Sequence, residues 1–448
     1  MLRTRLNRLL ILNMFVLAGI FTHSVCRDIE LEKQYTGDLR NRVVGSRLQA
    51  DGIPPYFYKW HTGEGFRYFD PQNNDGYKVS NITASPFFHD LLMPLSNLPQ
   101  SVISKIWFWL QYLLLLLMVI LSMRCVEGYL QKAAVINVAV LFTCTQAWKS
   151  NIAAGQIYFF MAFLIGCTFC GLLQKKRKAG FVSAGLSTAL LVLIKPTALV
   201  IIVPFIFRYS KYKTYIITAV IMLAVYGLFA LVNTKENSYW RSYAEALKEQ
   251  VNIHRATNPS LQKNDALPNP ESLEGINFIE SKNNALLHPV NMHSENGNIF
   301  VLFAMLFKKN ISASALFFLF SACVMLLMIF FARRYHQHEA GVLPTLILAF
   351  VFYMLSEIFA PVHRHQYSGV QWLPILTGAI LFVKRRFSLP VFLIVAGLVL
   401  NIFSAGFIPM RHTIGEFCWI LGLILMIFEK KSENKWKQQL SWGRALQA

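Results

Sequence analysis

Long apolar runs dominate the chain, and two polar stretches, residues 26–100 and 234–298, interrupt them. Runs such as LLILNMFVLAGIF, VISKIWFWLQYLLLLLMVIL, YIITAVIMLAVYGLFALV and SASALFFLFSACVMLLMIFFA are apolar on every side. They lack the single apolar stripe of a water-facing helix, and they recur at the length that crosses a bilayer, about 20 residues. The pattern predicts an all-α polytopic membrane protein: one multispanning domain over residues 1–448, with about twelve transmembrane helices. The apolar runs on either side of Lys195-Pro196 are each too short for a full crossing. Residues 180–207 are therefore either one long kinked helix or two short ones.

Short basic loops remain cytoplasmic. Arg3, Arg5 and Arg8, the cluster from Lys175 to Lys178, Arg208 to Lys213, Arg333-Arg334, Lys384 to Arg386 and the tail from Lys430 to Lys437 all fall on one side when the spans are counted off. Both termini are then expected inside. Residues 26–100, residues 234–298, the turn Trp148–Asn151 and the segment Pro361–Gln371 are expected outside, across the inner membrane of a bacterium.

Composition agrees with lipid as the solvent: 55% of residues are hydrophobic and 15% charged. The formal charge of +20 is an orientation signal, and no nucleic-acid partner is expected. A charged start and an apolar run precede Cys26 as in a secretory leader, but HSVCRD lacks a small-residue cleavage pattern, so an uncleaved first helix is expected. Cys167 and Cys170 form a CxxC in mid-span among Phe and Leu, where small packing residues are the reading. Zinc spacings, phosphate loops and serine-hydrolase elbows are missing from the sequence, and neither metal nor cofactor is expected.

Carboxylates are costly in lipid and sit where water or chemistry needs them. Of the 23 Asp and Glu, nine fall in the first polar stretch and eight in the second. Chemistry by carboxylate is thus available on one side, which points to an enzyme and away from a channel. The first stretch ends in SPFFHDLLMPLSNLP, an apolar, proline-broken segment suited to lying flat in the interface. The second contains YWRSYAEALKEQVNIH, which has helical spacing. Together they are expected to form a lid and platform over the membrane surface.

A further set of short elements occurs in order along residues 35–375: Asp38 followed by Gly52-Ile53-Pro54-Pro55-Tyr56, then Ser85-Pro86-Phe87-Phe88 with Pro94-Leu95, then Gly155-Gln156-Ile157, then Gly185 to Lys195-Pro196, and Ala360-Pro361-Val362 with a following His and Tyr367. In this order they resemble glycosyltransferase family 87, polyprenyl-phosphate-mannose-dependent mannosyltransferases within the GT-C class. The resemblance implies a GT-C-like fold and an inverting transfer of a hexose, mannose first, from a polyprenyl-phosphate donor. The acceptor is a glycolipid or polysaccharide hydroxyl on the extracytoplasmic side. Glucose, galactose or arabinose would need the same base and the same phosphate site.

An acceptor hydroxyl is a weak nucleophile at neutral pH, so a carboxylate within hydrogen-bond reach serves as general base. Asp38, which matches the resembled family's catalytic acid, is the candidate, with Asp28 and Asp51 behind it; the structural alternative is an exposed carboxylate paired with Arg40 or Arg42. The departing lipid phosphate carries negative charge and calls for cations or hydrogen-bond donors. Lys195 at the turn of an apolar hairpin, and His363, Arg364 and His365 after Pro361, are the candidates. Lys195 has snorkelling to the interface as its alternative, and Arg364 a salt bridge to Glu357. His365 is preferred to His363, although the family's histidine position, five residues after the proline, is held here by Gln366. Gln156 at a helix start, Tyr56 with its aromatic neighbours Phe57, Tyr58 and Trp60, and Tyr367 complete the expected substrate-binding set. Two other readings remain open: a polysaccharide polymerase or ligase with a diphosphate donor, which Arg40, Arg42 and Arg47 keep in play, and a lipid or sugar transporter.

Overall fold

A computed structural model describes residues 2–34, 37–61, 64–70, 79–80, 82–126, 128–174, 178–255, 297–307, 311–335, 341–362, 364–379, 388–402 and 411–428. Of the described residues 84% are helical, and none of them forms a strand. The helices are α1 (Leu2–Gln34), α2 (Gly37–Ala50), α3 (Pro86–Leu92), α4 (Gln100–Arg124), α5 (Tyr129–Phe142), α6 (Gln146–Ala153), α7 (Tyr158–Leu173), α8 (Lys178–Ile194), α9 (Val203–Ile206), α10 (Tyr209–Val232) and α11 (Thr234–Arg255). After residue 296 follow α12 (Ile299–Phe307), α13 (Ala313–Arg334), α14 (Val342–Ile358), α15 (Leu373–Ala379), α16 (Leu389–Ile402) and α17 (Arg411–Phe428).

Among the described residues, five helices are long and apolar enough to cross a membrane: Leu10–Lys33, Gln100–Arg124, Tyr209–Val232, Ala313–Arg334 and Arg411–Phe428. The other apolar helices are shorter, so the count of about twelve crossings is not met by full-length helices. Burial explains how short helices are tolerated. Nearly every residue of α14 is buried, and α7 is buried along most of its length. Such helices meet protein and not lipid, so their ends need not reach the headgroups. Lipid-facing surface is instead carried by helices such as α10 and α13, where Val225, Leu228, Phe317 and Phe318 are exposed.

The segment around Lys195 settles into two short pieces. Phe181 packs on Tyr212, with ring centroids 6.4 Å apart, and Thr188 bonds Tyr215 at 3.1 Å, so α8 and α10 run parallel. The chain between parallel helices has to run back. It does so from Lys195, whose backbone is extended, through a 3-10 turn over Pro196–Ile202 and α9. At the opposite end of the bundle, Arg208 donates to the Tyr335 carbonyl (3.2 Å), and the Tyr335 hydroxyl donates to the Ile427 carbonyl (3.0 Å). Arg208 and the end of α13 at Arg333-Arg334 therefore meet the C-terminal end of α17 at one end of the bundle, while Lys195 marks the other.

The first polar stretch is not a solvated loop. α1 continues through Arg27 and Asp28 to Gln34, and α2 is buried over most of its length although its sequence, GDLRNRVVGSRLQA, is polar. Burial of polar groups is tolerable when each is paired. Arg47 alone donates to the carbonyls of Ser96 (2.7 Å), Arg67 (2.9 Å) and Leu98 (2.9 Å), and Ser46 donates to the His89 carbonyl (2.8 Å). The proline-broken segment forms α3, capped by the Ser85 hydroxyl, and packs Phe87, Phe88 and Leu92 into the core. The predicted helix of the second stretch is α11. It docks on the first through Tyr239, which donates to the Gln49 carbonyl (3.3 Å), and Gln250, which donates to the Ser80 carbonyl (3.3 Å). The remainder of that stretch, residues 256–296, lies outside the described residues.

His89 sits between α3 and α2, fully buried against Gly45; a Cβ on that glycine would stand 2.5 Å from the imidazole Nε2. Neither ring nitrogen has a hydrogen-bond partner among the described residues. Burial, and secondarily the Arg42 charge, push the imidazole down to about 3 from an ordinary value of 6.5. Between these values the unfolded chain binds the extra proton, so His89 costs stability as pH falls through that window. Neighbouring Asp90 acts with the opposite sign: burial and Glu236 push it up to about 7, so its folded form gains a proton first. The His89→Leu variant is expected to lose less of its melting temperature than wild type between pH 7 and pH 5. Equal losses in the two proteins would show that His89 does not set this acid sensitivity.

Candidate active site

Gly155 joins α6 to α7 with φ +63°, a left-handed conformation that ends α6 at little steric cost. The bend exposes the Ala154 carbonyl, which accepts from the Leu39 N–H (3.2 Å) in the first turn of α2. An orphan donor at one helix start thus satisfies an acceptor at another helix end. The approach is close: a Cβ on Gly155 would lie 2.7 Å from Leu39 Cβ. Gly155→Ala is expected to cost about 2–4 kcal/mol from φ strain and overlap together. It should lower both the melting temperature and any activity; an unchanged melting temperature would refute the strain.

This contact puts Gln156 against Asp38. The Gln156 backbone is held on both sides, its N–H donating to the Asn151 carbonyl (2.9 Å) and its carbonyl accepting from Trp107 Nε1 (3.3 Å). Its side chain Nε2 donates to Asp38 Oδ2, and its Oε1 accepts from Arg42 Nη2 (2.5 Å). Arg42, one turn along α2 from Asp38, also donates Nη1 to the Asp38 backbone carbonyl (2.6 Å). Asp38 lies in the first turn of α2, where the helix dipole favours a negative charge, and it is half-buried. The expected alternative, direct pairing of its carboxylate with Arg40 or Arg42, is not what the structure holds: Arg40 donates to the carbonyls of Phe69 (2.7 Å) and Phe66 (3.1 Å).

Two residues further on, Tyr158 opens α7. Consecutive Cα atoms are 3.8 Å apart, so its backbone lies within about 7.6 Å of Gln156. The Lys195 ammonium stands 4.9 Å from the centroid of the Tyr158 ring. Tyr367 packs on the same ring at 5.3 Å, and His365 stacks on Tyr367 at 4.7 Å. Lys195 also bonds Glu357 at the end of α14, whose other oxygen accepts from Thr197 (3.3 Å).

Arg364 takes a different partner from the one expected. It forms two contacts with Glu416 of α17, Nη1 to Oε2 at 2.7 Å and Nη2 to Oε1 at 3.0 Å, with both side chains buried. Glu357 is engaged by Lys195. Tyr56 is also placed differently. It is fully buried, donates its hydroxyl to the Ala84 carbonyl (2.9 Å) and packs between His89 and Tyr243, which leaves no ring face open to a sugar. His363 lies outside the described residues. Of the reserve acids, Asp28 is fully buried and accepts from Arg27 (2.8 Å), Tyr112 (2.7 Å) and Trp148 (2.6 Å), a structural knot that ties α1 to α4 and α6. The predicted outer turn Trp148–Asn151 is accordingly part of α6. Hydrogen bonds from Arg67 and Tyr68 hold the Asp51 carboxyl below its usual range, which makes it a poor base. Among the described residues no group of three or more His, Cys, Asp or Glu is placed to hold a metal ion.

The structure thus brings Asp38 to Gln156, and Lys195 and Tyr367 to Tyr158 with His365 behind Tyr367, so that Gly155–Tyr158 is the common segment. Sequence reasoning missed Tyr158, Arg42 as a partner of Gln156, and Glu416. Only Tyr158 left a signal, as an interfacial aromatic two residues beyond Gln156. One comparison with known proteins bears on part of this assembly. Residues 83–267 match the family model of glycosyltransferase family 87. The match spans α3 to α11 and contains Gln156, Tyr158 and Lys195, while Asp38, His365, Tyr367 and Arg364 lie to either side of it. No curated protein matches the chain, and no solved structure matches it. The family 87 match supports a glycosyltransferase, acting between a sugar donor and an acceptor, and the long apolar helices are consistent with an integral membrane protein.

Proposed function

We propose that this protein transfers a hexose, mannose first among the candidates, from a polyprenyl-phosphate donor to a hydroxyl of a glycolipid or polysaccharide, at the extracytoplasmic end of its bundle. The observation that carries the reading is the Gly155–Tyr158 segment, which touches a carboxylate through Gln156 and a cation through Tyr158. In the proposed step Asp38 takes the proton of the acceptor hydroxyl as its oxygen bonds to the anomeric carbon. The bond from that carbon to the phosphate oxygen breaks, and polyprenyl phosphate leaves with the electron pair. A single displacement inverts the anomeric centre.

Lys195 suits the leaving group. An ammonium has three donors and no fixed fork, so one can remain on Glu357 while others meet a phosphate oxygen. Its side chain retains 25% exposure, against 5% for Arg364, whose guanidinium is committed to Glu416. His365, half-exposed on Tyr367, is the second candidate. The arginines that kept a diphosphate donor in play have other tasks: Arg40 and Arg47 donate to backbone carbonyls, and Arg42 to Gln156.

The test is a panel of radiolabelled polyprenyl monophosphate and diphosphate sugars offered to the purified protein in nanodiscs with a lipid extract as acceptor source. Turnover of a monophosphate sugar is the expected result. Turnover of diphosphate donors alone would replace this reading with a polymerase or ligase, and silence with both would remove it.

A further inference from the structure

We infer that Gln156, locked by Arg42, positions the base: its amide holds Asp38 Oδ2 and leaves Oδ1 as the oxygen that meets the acceptor hydroxyl. The inference rests on the reading of Asp38 as general base.

A glutamine amide can present either its oxygen or its NH2 group to a neighbour, and the choice is fixed only by the surrounding hydrogen bonds. Here the choice is forced. Arg42 carries donors only, and its Nη2 lies 2.5 Å from Gln156 Oε1, so the oxygen must face the arginine. The NH2 group then faces Asp38, which accepts at Oδ2. A flipped amide would set Arg42 donors against NH2 and the carboxylate against a carbonyl oxygen, losing both contacts. Arg42 cannot drift away without losing its second bond, from Nη1 to the Asp38 carbonyl at 2.6 Å. Gln156 is held in turn by both of its backbone groups, through Asn151 and Trp107. Among the described residues no other donor reaches the Asp38 carboxylate. One oxygen is therefore fixed from behind while the other is left for a proton.

The positioning has a chemical consequence. General-base catalysis depends on the carboxylate oxygen being within about 2.6–3.2 Å of the hydroxyl it deprotonates. A free Asp side chain samples several rotamers; the Gln156 bond selects one. A positioning defect lowers the chemical step, and it leaves the affinity for the lipid-phosphate donor at Lys195 and Tyr158 unchanged. The reading differs from a substrate-binding Gln156, which would lower donor affinity when removed.

The experiment uses the full-length protein in nanodiscs, with the polyprenyl-phosphate sugar that wild type turns over, and compares Gln156→Leu, Gln156→Glu, Arg42→Met, the Gln156→Leu/Arg42→Met double variant and Asp38→Asn. Gln156→Leu is expected to lower kcat by about 10²-fold, the scale of a misplaced catalytic group, with donor KM within about twofold of wild type. Because Arg42 acts through Gln156, the double variant should be little worse than Gln156→Leu alone. Gln156→Glu supplies the most selective signature. The new carboxylate keeps Arg42 on one oxygen and, while ionised, repels Asp38; once protonated it donates an O–H to Oδ2 as the amide does, so the activity of this variant relative to wild type should rise as pH falls. A raised donor KM with kcat preserved in Gln156→Leu, or strictly multiplicative losses in the double variant, would overturn the positioning role. Activity retained in Asp38→Asn would instead overturn the underlying assignment of the base, so the two failures are distinguishable. Thermal unfolding of each variant separates misfolding from misplacement, and recovery of Gln156→Glu at low pH requires a folded protein.

Discussion

Replacement of Asp38 by Asn is expected to lower the rate of sugar transfer by about 10²–10⁴-fold, the range general-base catalysis supplies, with little change in melting temperature. The structure makes the two halves of this expectation separable. Asn is isosteric with Asp, and its side-chain oxygen still accepts the Gln156 N–H, so the link between α2 and the α6–α7 bend survives. The contacts that seat α2 do not use the carboxylate: Leu39 bonds the Ala154 carbonyl, Arg42 bonds the Asp38 backbone, and Arg47 reaches three carbonyls of the first polar stretch. What is lost is the capacity to take a proton. Kinetics with the donor identified by the panel, beside a thermal melt, would check it; residual activity near wild type would move the base to another carboxylate.

Loss of Glu416 is expected to have the largest effect on stability. Glu416→Ala leaves Arg364 charged and unpaired, with only 5% of its side chain exposed. Burial lowers the Arg364 guanidinium, but the Glu416 charge and hydrogen bond more than restore it, so the arginine depends on that partner to keep its charge. Removing one partner of a buried pair costs about 3–5 kcal/mol, whereas replacing both by apolar groups can be nearly neutral. Glu416→Ala should therefore lower the melting temperature by on the order of 5 °C, and Arg364→Met with Glu416→Leu should recover much of it. Arg364 also joins distant segments: its carbonyl accepts from the Gly297 N–H (2.7 Å), just ahead of α12. The same variant tests the role of Arg364. A phosphate ligand released from Glu416 would bind the donor more tightly; a structural ion pair predicts no gain.

Much of the fold follows from apolar run length, because lipid demands continuous apolar helix and the sequence supplies it in α4, α10 and α13. What was hidden is the part that does not touch lipid. α2 has no apolar stripe, and its burial depends on carbonyls offered by residues 66–69 and 96–98, which only the tertiary structure brings within reach of Arg40 and Arg47. The same reason hid Glu416: it lies 52 residues beyond Arg364 in the chain, and the nearer Glu357 seemed the natural partner. Conversely, Gln156 was legible as a polar group at a helix start, Asp38 as the acid of the family resemblance, and Lys195 as a cation in an apolar hairpin. Their mutual contact was not legible, since it depends on the left-handed bend at Gly155. Tyr56 misled because aromatic residues suit a buried seam between α3 and α11 as well as they suit a sugar face.

The most direct test of the account is the anomeric configuration of the product, determined by NMR after transfer from a polyprenyl-monophosphate sugar by wild-type protein, with Asp38→Asn run beside it. A product of configuration opposite to the donor's, formed by wild type and missing from the variant, is the predicted result. Retained configuration, or equal product from the two proteins, would contradict a single displacement assisted by Asp38.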